Sequence, residues 1–129
     1  MPDSHAKLNL LDVEDQAVGY GLGDTQEARF PFEAIGAQRT GFGHQRVLPG
    51  KRQAFAHRHD EAEEIYVVLS GSGRVKLDDE IVELRALDAL RVAPKVTRQF
   101  EGGPDGIEFL SFGARHQGDG EMITGWWTD

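Results

Sequence analysis

Turn-forming residues divide this chain into short segments, and this division constrains the fold more than any other feature. Sixteen glycines and five prolines are spread along the 129 residues. The apolar or alternating runs between them are about 5 to 8 residues long, which is the usual length of a β-strand. Strands are therefore predicted over residues 28–35, 39–48, 53–59, 63–69, 73–77, 80–85, 89–93, 97–101 and 106–113. Short strands at such spacing are typical of a sandwich or barrel.

Two of the turns carry strong local signals. Pro49-Gly50 is expected to close one hairpin, and Asp78-Asp79 lies between two alternating runs that are predicted to be its flanking strands. A longer turn is expected over residues 101–106. Consecutive strands are therefore predicted to be antiparallel neighbours.

The length, 129 residues and 14.3 kDa, fits one domain. Residues 1–26 are mixed in pattern and are predicted to form an N-terminal arm, while residues 27–129 form the barrel domain with a C-terminal tail. The tail ends with Trp126-Trp127, which we expect to dock on the domain's own surface. No internal repeat or linker interrupts this organisation.

Composition narrows the classes of partner. The formal net charge of −8 disfavours nucleic acid and anionic membrane surfaces, so a small-molecule ligand is expected. No cysteine is present, which excludes disulfides, zinc-thiolate sites and thiol nucleophiles. The first residues lack the apolar stretch of a signal peptide, so a cytoplasmic location is expected.

Three potential metal ligands lie within eight residues. His57 and His59 are two residues apart on a predicted strand, so their imidazoles point to the same side. After a turn through residues 60–62, Glu64 is placed to fold back toward them, and Glu63 faces outward. Two imidazoles and one carboxylate suit Fe, Mn, Ni or Zn better than Mg or Ca. Three ligands also leave coordination positions open for a substrate.

The same stretch resembles the first motif of the cupin superfamily, in which a glycine, His-x-His, a glutamate and a second glycine follow one another. The matching residues here are Gly50, His57, His59, Glu64 and Gly71, with Gly50 one residue further from His57 than usual. The resemblance implies an all-β, single-domain, double-stranded β-helix, or jelly-roll barrel. It also implies a metal in the mouth of the barrel and frequent pairing of two chains, so a homodimer is expected.

The sequence keeps the spacing of the second cupin motif but lacks the residue types that the motif requires. In that register Leu87, Lys95 and Gly102 replace a glycine, a glycine and an asparagine, and Arg98 stands where the family has its last metal-binding histidine. A guanidinium has no lone pair to donate to a metal. At ~4 Å from a divalent ion its repulsion would be roughly 8 kcal/mol at an effective dielectric constant of ~20. Alternatively, Arg98 can pair with Glu64 in a site without metal.

Further pocket residues follow from strand alternation. Gln53, Phe55, Tyr66, Arg98 and Phe100 are candidate substrate-binding residues on the inward face. Tyr66 and Arg98 are also candidates for a catalytic role, Tyr66 as a proton donor and Arg98 as an anchor for an anionic substrate. The competing interpretation for the aromatic residues is simple core packing. His44 is placed outside the site.

Three functional hypotheses remain open from the sequence. In the first, a divalent metal on His57, His59 and Glu64 supports oxygenase or isomerase chemistry, with Arg98 orienting an anionic substrate. In the second, a ligand-binding module holds no metal because Arg98 occupies that position. In the third, the domain is a structural or dimerisation module. The barrel alone does not select among them, because one fold hosts many activities.

Overall fold

A computed structural model of the chain describes residues 4–114 and 118–129; residues 1–3 of the expected arm lie outside the described residues. The elements are a 3₁₀ turn Leu10–Asp12, a short helix α1 Gln16–Gly19, and strands β1 Gln26–Arg29, β2 Thr40–Val47, β3 Ala56–His59, β4 Glu64–Leu77, β5 Glu80–Arg85, β6 Ala89–Val92, β7 Arg98–Ala114 and β8 Gly120–Ile123. Across these residues no helix has the length and apolar character that crossing a lipid bilayer requires.

The two longest strands, β4 and β7, run through both halves of the molecule. They are antiparallel partners from Glu64 opposite Gly113 to Leu77 opposite Arg98. In one layer, the first half of β4 also pairs with β6, and the second half of β7 also pairs with β2, which in turn pairs with β1. In the other layer, the second half of β4 also pairs with β5, and the start of β7 also pairs with β3, which in turn pairs with β8. The strands thereby form two curled antiparallel layers, which confirms the predicted all-β jelly-roll barrel.

Glycines allow β4 and β7 to bend between the two layers. The pairing shifts register between Val68 and Ser70 and again between Gly71 and Gly73. Gly71 has a φ of +75°, and a Cβ there would overlap the carbonyl oxygen of Gly106. Only glycine combines that backbone conformation with so close a backbone approach.

The core lies between the two layers and ends beneath the metal-ligand cluster. Phe100 and Phe109 stack with their ring centroids 4.3 Å apart, and Tyr66 lies 4.9 Å from Phe100 and 5.7 Å from Phe109. The buried core residues are Val47, Tyr66, Val68, Val75, Leu84, Val92, Phe100, Ile107 and Phe109. Of the inward-facing residues of β4, Val68 therefore lies in the core and Glu64 lies in the functional site.

Both terminal segments pack on the barrel. In the N-terminal segment Asp15 caps α1 and also accepts a hydrogen bond from the backbone of Ala28 in β1. At the other end Trp127 is buried, with the Arg52 guanidinium 4.1 Å from its ring centroid and Arg52 Nη1 donating to its carbonyl oxygen at 2.8 Å. The docked tail that was expected is present.

Several strand boundaries differ from the prediction. The predicted strand over residues 28–35 is wrong beyond Arg29, because Pro31 lacks a backbone N–H and the chain turns after it, with Ile35 N donating to Pro31 O. The strands predicted over residues 63–69 and 73–77 are, from Glu64 onward, one strand, β4, and those predicted over residues 97–101 and 106–113 are, from Arg98 onward, one strand, β7. In both, glycines that suggested turns mark irregularities within a continuous strand. Only the last part of the predicted strand over residues 53–59 is regular.

The hairpin expected at Pro49-Gly50 is also wrong. The chain does turn there, but β2 pairs with β1 and β7, whereas the following β3 pairs with β7 and β8. The turn therefore moves the chain from one layer to the other. The hairpin at Asp78-Asp79 is confirmed, with Leu77 opposite Glu80. Strand β8 was not predicted.

The bend at Gly71 yields a test of the fold. Gly71→Ala should lower the free energy of unfolding by about 3 kcal/mol, because the new methyl group overlaps Gly106 O in a left-handed backbone conformation. Gly50→Ala is the matched control, since Gly50 has a φ of +70° with open space around it, and it should cost about 1 to 2 kcal/mol. Chemical denaturation measures both, and equal losses would contradict the close packing of the two strands.

Candidate metal and ligand site

Three strands bring the site residues together. His57 and His59 project from β3 to the same side, and Glu64 and Tyr66 follow on the inward face of β4. Arg98 begins β7, where it is the register partner of His57. The alternation of side chains along β3 and β4 therefore places the three predicted metal ligands at one end of the barrel interior.

One oxygen of Glu64 is the centre of the site. Tyr66 Oη donates to Glu64 Oε1 at 2.5 Å, and Arg98 Nη1 donates to it at 3.0 Å. Nε2 of His59 lies 3.3 Å from the same oxygen, and Nε2 of His57 lies 3.5 Å from it. All four contacts therefore converge on Oε1.

The surroundings fix the charges of these groups. Burial alone would raise the pKa of Glu64, but hydrogen bonds with His57, His59 and Tyr66 outweigh it and hold the pKa well below 4.5. Burial raises the pKa of Tyr66 well above 10.0, and the adjacent Glu64 carboxylate adds to that effect. Burial also lowers the pKa of His57, against the opposing influence of Glu64. At neutral pH the site therefore holds an ionised carboxylate, a protonated phenol and a neutral His57.

Arg98 lies behind Glu64 and is completely buried. Its side chain has no solvent exposure, Nη2 donates to Ala93 O at 3.3 Å, and Nε has no hydrogen-bond partner among the described residues. Glu64 is thus the counter-charge of a buried cation, an arrangement that is strongly destabilised when one partner is removed. The Arg98–Glu64 pair that the sequence allows is present in the structure.

The donor set fits a transition metal. Ligand atoms of His57, His59 and Glu64 lie within 4.8 Å of one another. Metal–ligand bonds of 2.0–2.2 Å in a tetrahedral site place two ligands about 3.3 Å apart, and the contacts of Glu64 Oε1 with the two Nε2 atoms are 3.3 and 3.5 Å. Imidazole nitrogen and carboxylate oxygen are suitable ligands for Fe, Mn, Ni and Zn.

Asp119 provides a second observation in favour of that fit. His59 Nδ1 is buried without a hydrogen-bond partner among the described residues, and the nearest oxygen of Asp119 is 3.6 Å away. A neutral imidazole carries one proton, so His59 cannot donate to both Asp119 and Glu64. With the proton on Nε2, where it hydrogen-bonds to Glu64, the unprotonated Nδ1 faces Asp119; a metal ion bound to Nε2 would place the proton on Nδ1 instead. Metal-binding histidines commonly direct their other ring N–H toward a carboxylate.

Asp119 itself is held in place by the turn between β3 and β4. Its two carboxylate oxygens accept hydrogen bonds from the backbone N–H groups of Asp60, Glu61 and Ala62 at 2.9, 2.9 and 3.0 Å. Burial would raise the pKa of Asp119, but these backbone donors lower it below its ordinary value. One carboxylate therefore fixes the turn that leads to Glu64 and faces His59.

A cavity of about 810 Å³ opens beside the cluster. Its polar end contains His57, His59, Glu64 and Tyr66. Its walls carry aromatic and aliphatic side chains from the N-terminal segment, from the chain after β1, and from β2 and β8; among them are Tyr20, Leu22, Phe30, Phe32, Phe42 and Met122. The volume is that of a small-molecule site.

The predicted pocket residues are divided between the wall and the core. Gln53, Phe55 and Tyr66 line the cavity. Arg98 and Phe100 are fully buried behind it, so neither side chain lines the wall. His44 lies outside the site, 2.6 Å from Glu108, as expected.

Sequence reasoning missed Asp119 and the aromatic residues of the mouth. Asp119 immediately precedes β8, a strand that pairs with β3 across more than fifty residues of sequence. The only local signal is the short apolar pair Met122-Ile123 between polar residues. Tyr20 comes from the segment that was predicted to form an arm, and Phe30 comes from the strand predicted over residues 28–35; neither was predicted to line the pocket.

Comparisons with known proteins agree with this architecture. The family model described as "Cupin domain" matches residues 43–108, just over half of the chain. An uncharacterized protein of Methanocaldococcus jannaschii is 33% identical over 55 residues, which are 43% of this chain and 44% of that protein. The chain thus matches less than half the length of this curated relative.

Solved structures share the fold. A cupin protein of Bacteroides fragilis aligns with a TM-score of 0.72 and 24% identity over 99% of both chains. Oxalate decarboxylase of Bacillus subtilis aligns with a TM-score of 0.76 and 20% identity over 95% of this chain and 33% of its own. The polyketide cyclase RemF of Streptomyces resistomycificus aligns with a TM-score of 0.74 and 20% identity over 100% of this chain and 89% of its own.

The Glu64–Arg98 pair yields a prediction for the chelator-treated protein. Glu64→Gln should lower the free energy of unfolding at pH 7 by about 3 to 5 kcal/mol, because it leaves Arg98 buried without a counter-charge. Glu63→Gln is the matched control, since Glu63 is exposed and pairs only at the surface with Arg91, and it should change stability by less than about 0.5 kcal/mol.

The pH dependence of the same variant has a defined sign. Because the pKa of Glu64 is lower in the folded chain, its contribution is fully present above 4.5 and is lost as the pH falls through the folded pKa. Denaturation measured from pH 7 to pH 3 should therefore show a weaker acid dependence for Glu64→Gln than for the wild type. Equal slopes, or equal stability of the Glu64→Gln and Glu63→Gln variants, would contradict the charge pair.

Proposed function

This chain belongs to the cupin family, and from that premise we propose that it binds a divalent transition metal through His57, His59 and Glu64 and a small molecule in the adjoining cavity. The observation that carries the proposal is the convergence of three ligand atoms within 4.8 Å at the polar end of a cavity of about 810 Å³. A three-ligand site leaves open positions toward that cavity. The bound metal would supply Lewis-acid chemistry or bind oxygen.

The chain's own residues have separate roles in this proposal. The Nε2 atoms of His57 and His59 and a carboxylate oxygen of Glu64 hold the metal. Asp119 orients His59, and Tyr66 keeps one Glu64 oxygen hydrogen-bonded. A metal held by these ligands, with Fe, Mn, Ni or Zn as the candidates, favours oxygenase or isomerase chemistry.

Arg98 favours a second candidate function. Its guanidinium already neutralises Glu64 at 3.0 Å and is fully buried. Arg98 can therefore replace the metal as the permanent positive charge of the site, and the chain would then be a ligand-binding module without metal. In the metal-bound alternative, Arg98 and a divalent ion share one carboxylate, which weakens metal binding by electrostatic repulsion.

Metal binding separates the two candidates. Elemental analysis of untagged protein purified without chelators should find close to one transition metal per chain, and calorimetric titration of stripped protein should recover the site. His57→Ala should weaken binding by more than about 100-fold, beyond the losses typical of groups outside the coordination shell. His44→Ala removes a buried imidazole that contacts Glu108 instead of Glu64 and should leave metal affinity unchanged.

Arg98→His provides the second arm of that experiment. It removes the opposing charge and adds a ligand, so it should raise metal affinity at least about tenfold. A wild-type chain that takes up none of the four metals, with binding gained only by Arg98→His, would favour the module without metal. Binding that responds equally to His57→Ala and His44→Ala would refute the proposed ligand set.

A further inference from the structure

The lining of the cavity restricts its ligand more narrowly than the metal cluster does. We infer that the cavity takes an uncharged, planar aromatic molecule that carries a hydroxyl group. This inference rests on one part of the proposed function, the binding of a small molecule in this cavity, and it does not require a bound metal.

The mouth of the cavity is apolar. Tyr20, Phe30 and Met122 remain 79%, 56% and 69% exposed although they come from three separate parts of the chain. All three lie at this one cavity, together with Phe32 and Phe55. Exposed apolar side chains collected at one place mark a binding surface, whereas isolated ones need no explanation. An aromatic ligand would cover them.

Three glycines form part of one wall of the cavity. Gly41 and Gly43 of β2 and Gly113 of β7 line the cavity, and Gly41 and Gly113 face each other across the two strands. A Cβ at Gly43 would meet Ser111 Oγ at 2.9 Å and the Phe30 ring at 3.4 Å, so the missing side chain lets that ring lie close to the sheet surface. An aromatic ring held against the sheet at the cavity wall fits a flat molecule.

The charged side chains of the wall disfavour an anionic ligand. Among the described lining residues there is no lysine or arginine, whereas Glu33, Glu64 and Glu121 are present. Arg98, the cation expected to anchor an anionic substrate, has no exposure to the cavity and is used by Glu64. An anionic ligand would therefore meet carboxylates without a lining cation, which disfavours its desolvation.

The polar end indicates the hydroxyl group. Glu64 accepts hydrogen bonds at Oε1 from Tyr66 Oη at 2.5 Å and from Arg98 Nη1 at 3.0 Å, so at this end of the cavity it acts as an acceptor. Nε2 of His57 is a second polar group there, 3.5 Å from both Glu64 Oε1 and Tyr66 Oη. A hydroxyl on the ligand can donate to this carboxylate and also accept a hydrogen bond, which a purely apolar ring cannot do.

Fluorescence titration with 2-naphthol, and with 2-naphthoate as its anionic counterpart, tests the inference on the whole chain. After chelator treatment, when no metal can coordinate the carboxylate, 2-naphthol should bind at least ten times more tightly than 2-naphthoate. Phe30→Ala should weaken 2-naphthol binding at least fivefold. Ile81→Ala is the matched control, since Ile81 is 45% exposed on β5 away from the cavity, and it should bind as the wild type does.

The outcomes separate this inference from the metal proposal. Binding of 2-naphthol to a chain that takes up no metal would support the ligand class and refute only the metal. A chain that binds metal but not 2-naphthol would overturn the ligand class alone. Tighter binding of 2-naphthoate to chelator-treated protein, or equal effects of Phe30→Ala and Ile81→Ala, would also overturn it.

Discussion

The contact between Arg98 and Glu64 is the constraint on which the functional end of the barrel depends. A fully buried guanidinium requires a counter-charge, and Glu64 Oε1 provides it at 3.0 Å. The same oxygen accepts a hydrogen bond from the hydroxyl of Tyr66 and faces both His57 and His59. Glu64 is therefore at once the partner of a structural cation and the carboxylate of the candidate metal site. A metal in this site has to share that carboxylate with Arg98.

The geometry around Glu64 is possible because β4 and β7 cross both layers of the barrel. Their bend at Gly71 and Gly106 carries Arg98 to the layer that holds β3, while Glu64 stays opposite Gly113 in the other layer. The stacked rings of Phe100 and Phe109 fill the space between the layers. Core packing and site geometry thus come from the same pair of strands, and the site lies where the packed core gives way to the open cavity.

Local patterns predicted the parts of this site that depend on neighbouring residues. The two-residue spacing of His57 and His59 and the alternation to Glu64 follow from strand geometry alone, and they placed the candidate ligands on one side. The position of Arg98 followed from the spacing of a second motif. Asp119 could not be found in this way, because its position depends on the pairing of β8 with β3, far apart in sequence. Glycines within β4 and β7 suggested turns, since a bulge and a turn use the same residue type.

Crystals grown with Zn²⁺ and measured at its absorption edge would show which cation the site accepts. If His57, His59 and Glu64 form a metal site, an anomalous peak will lie about 2.0–2.2 Å from both Nε2 atoms and a Glu64 oxygen. A map that lacks this peak at saturating Zn²⁺, and in which Arg98 Nη1 still donates to Glu64 Oε1, would contradict the proposed metal site.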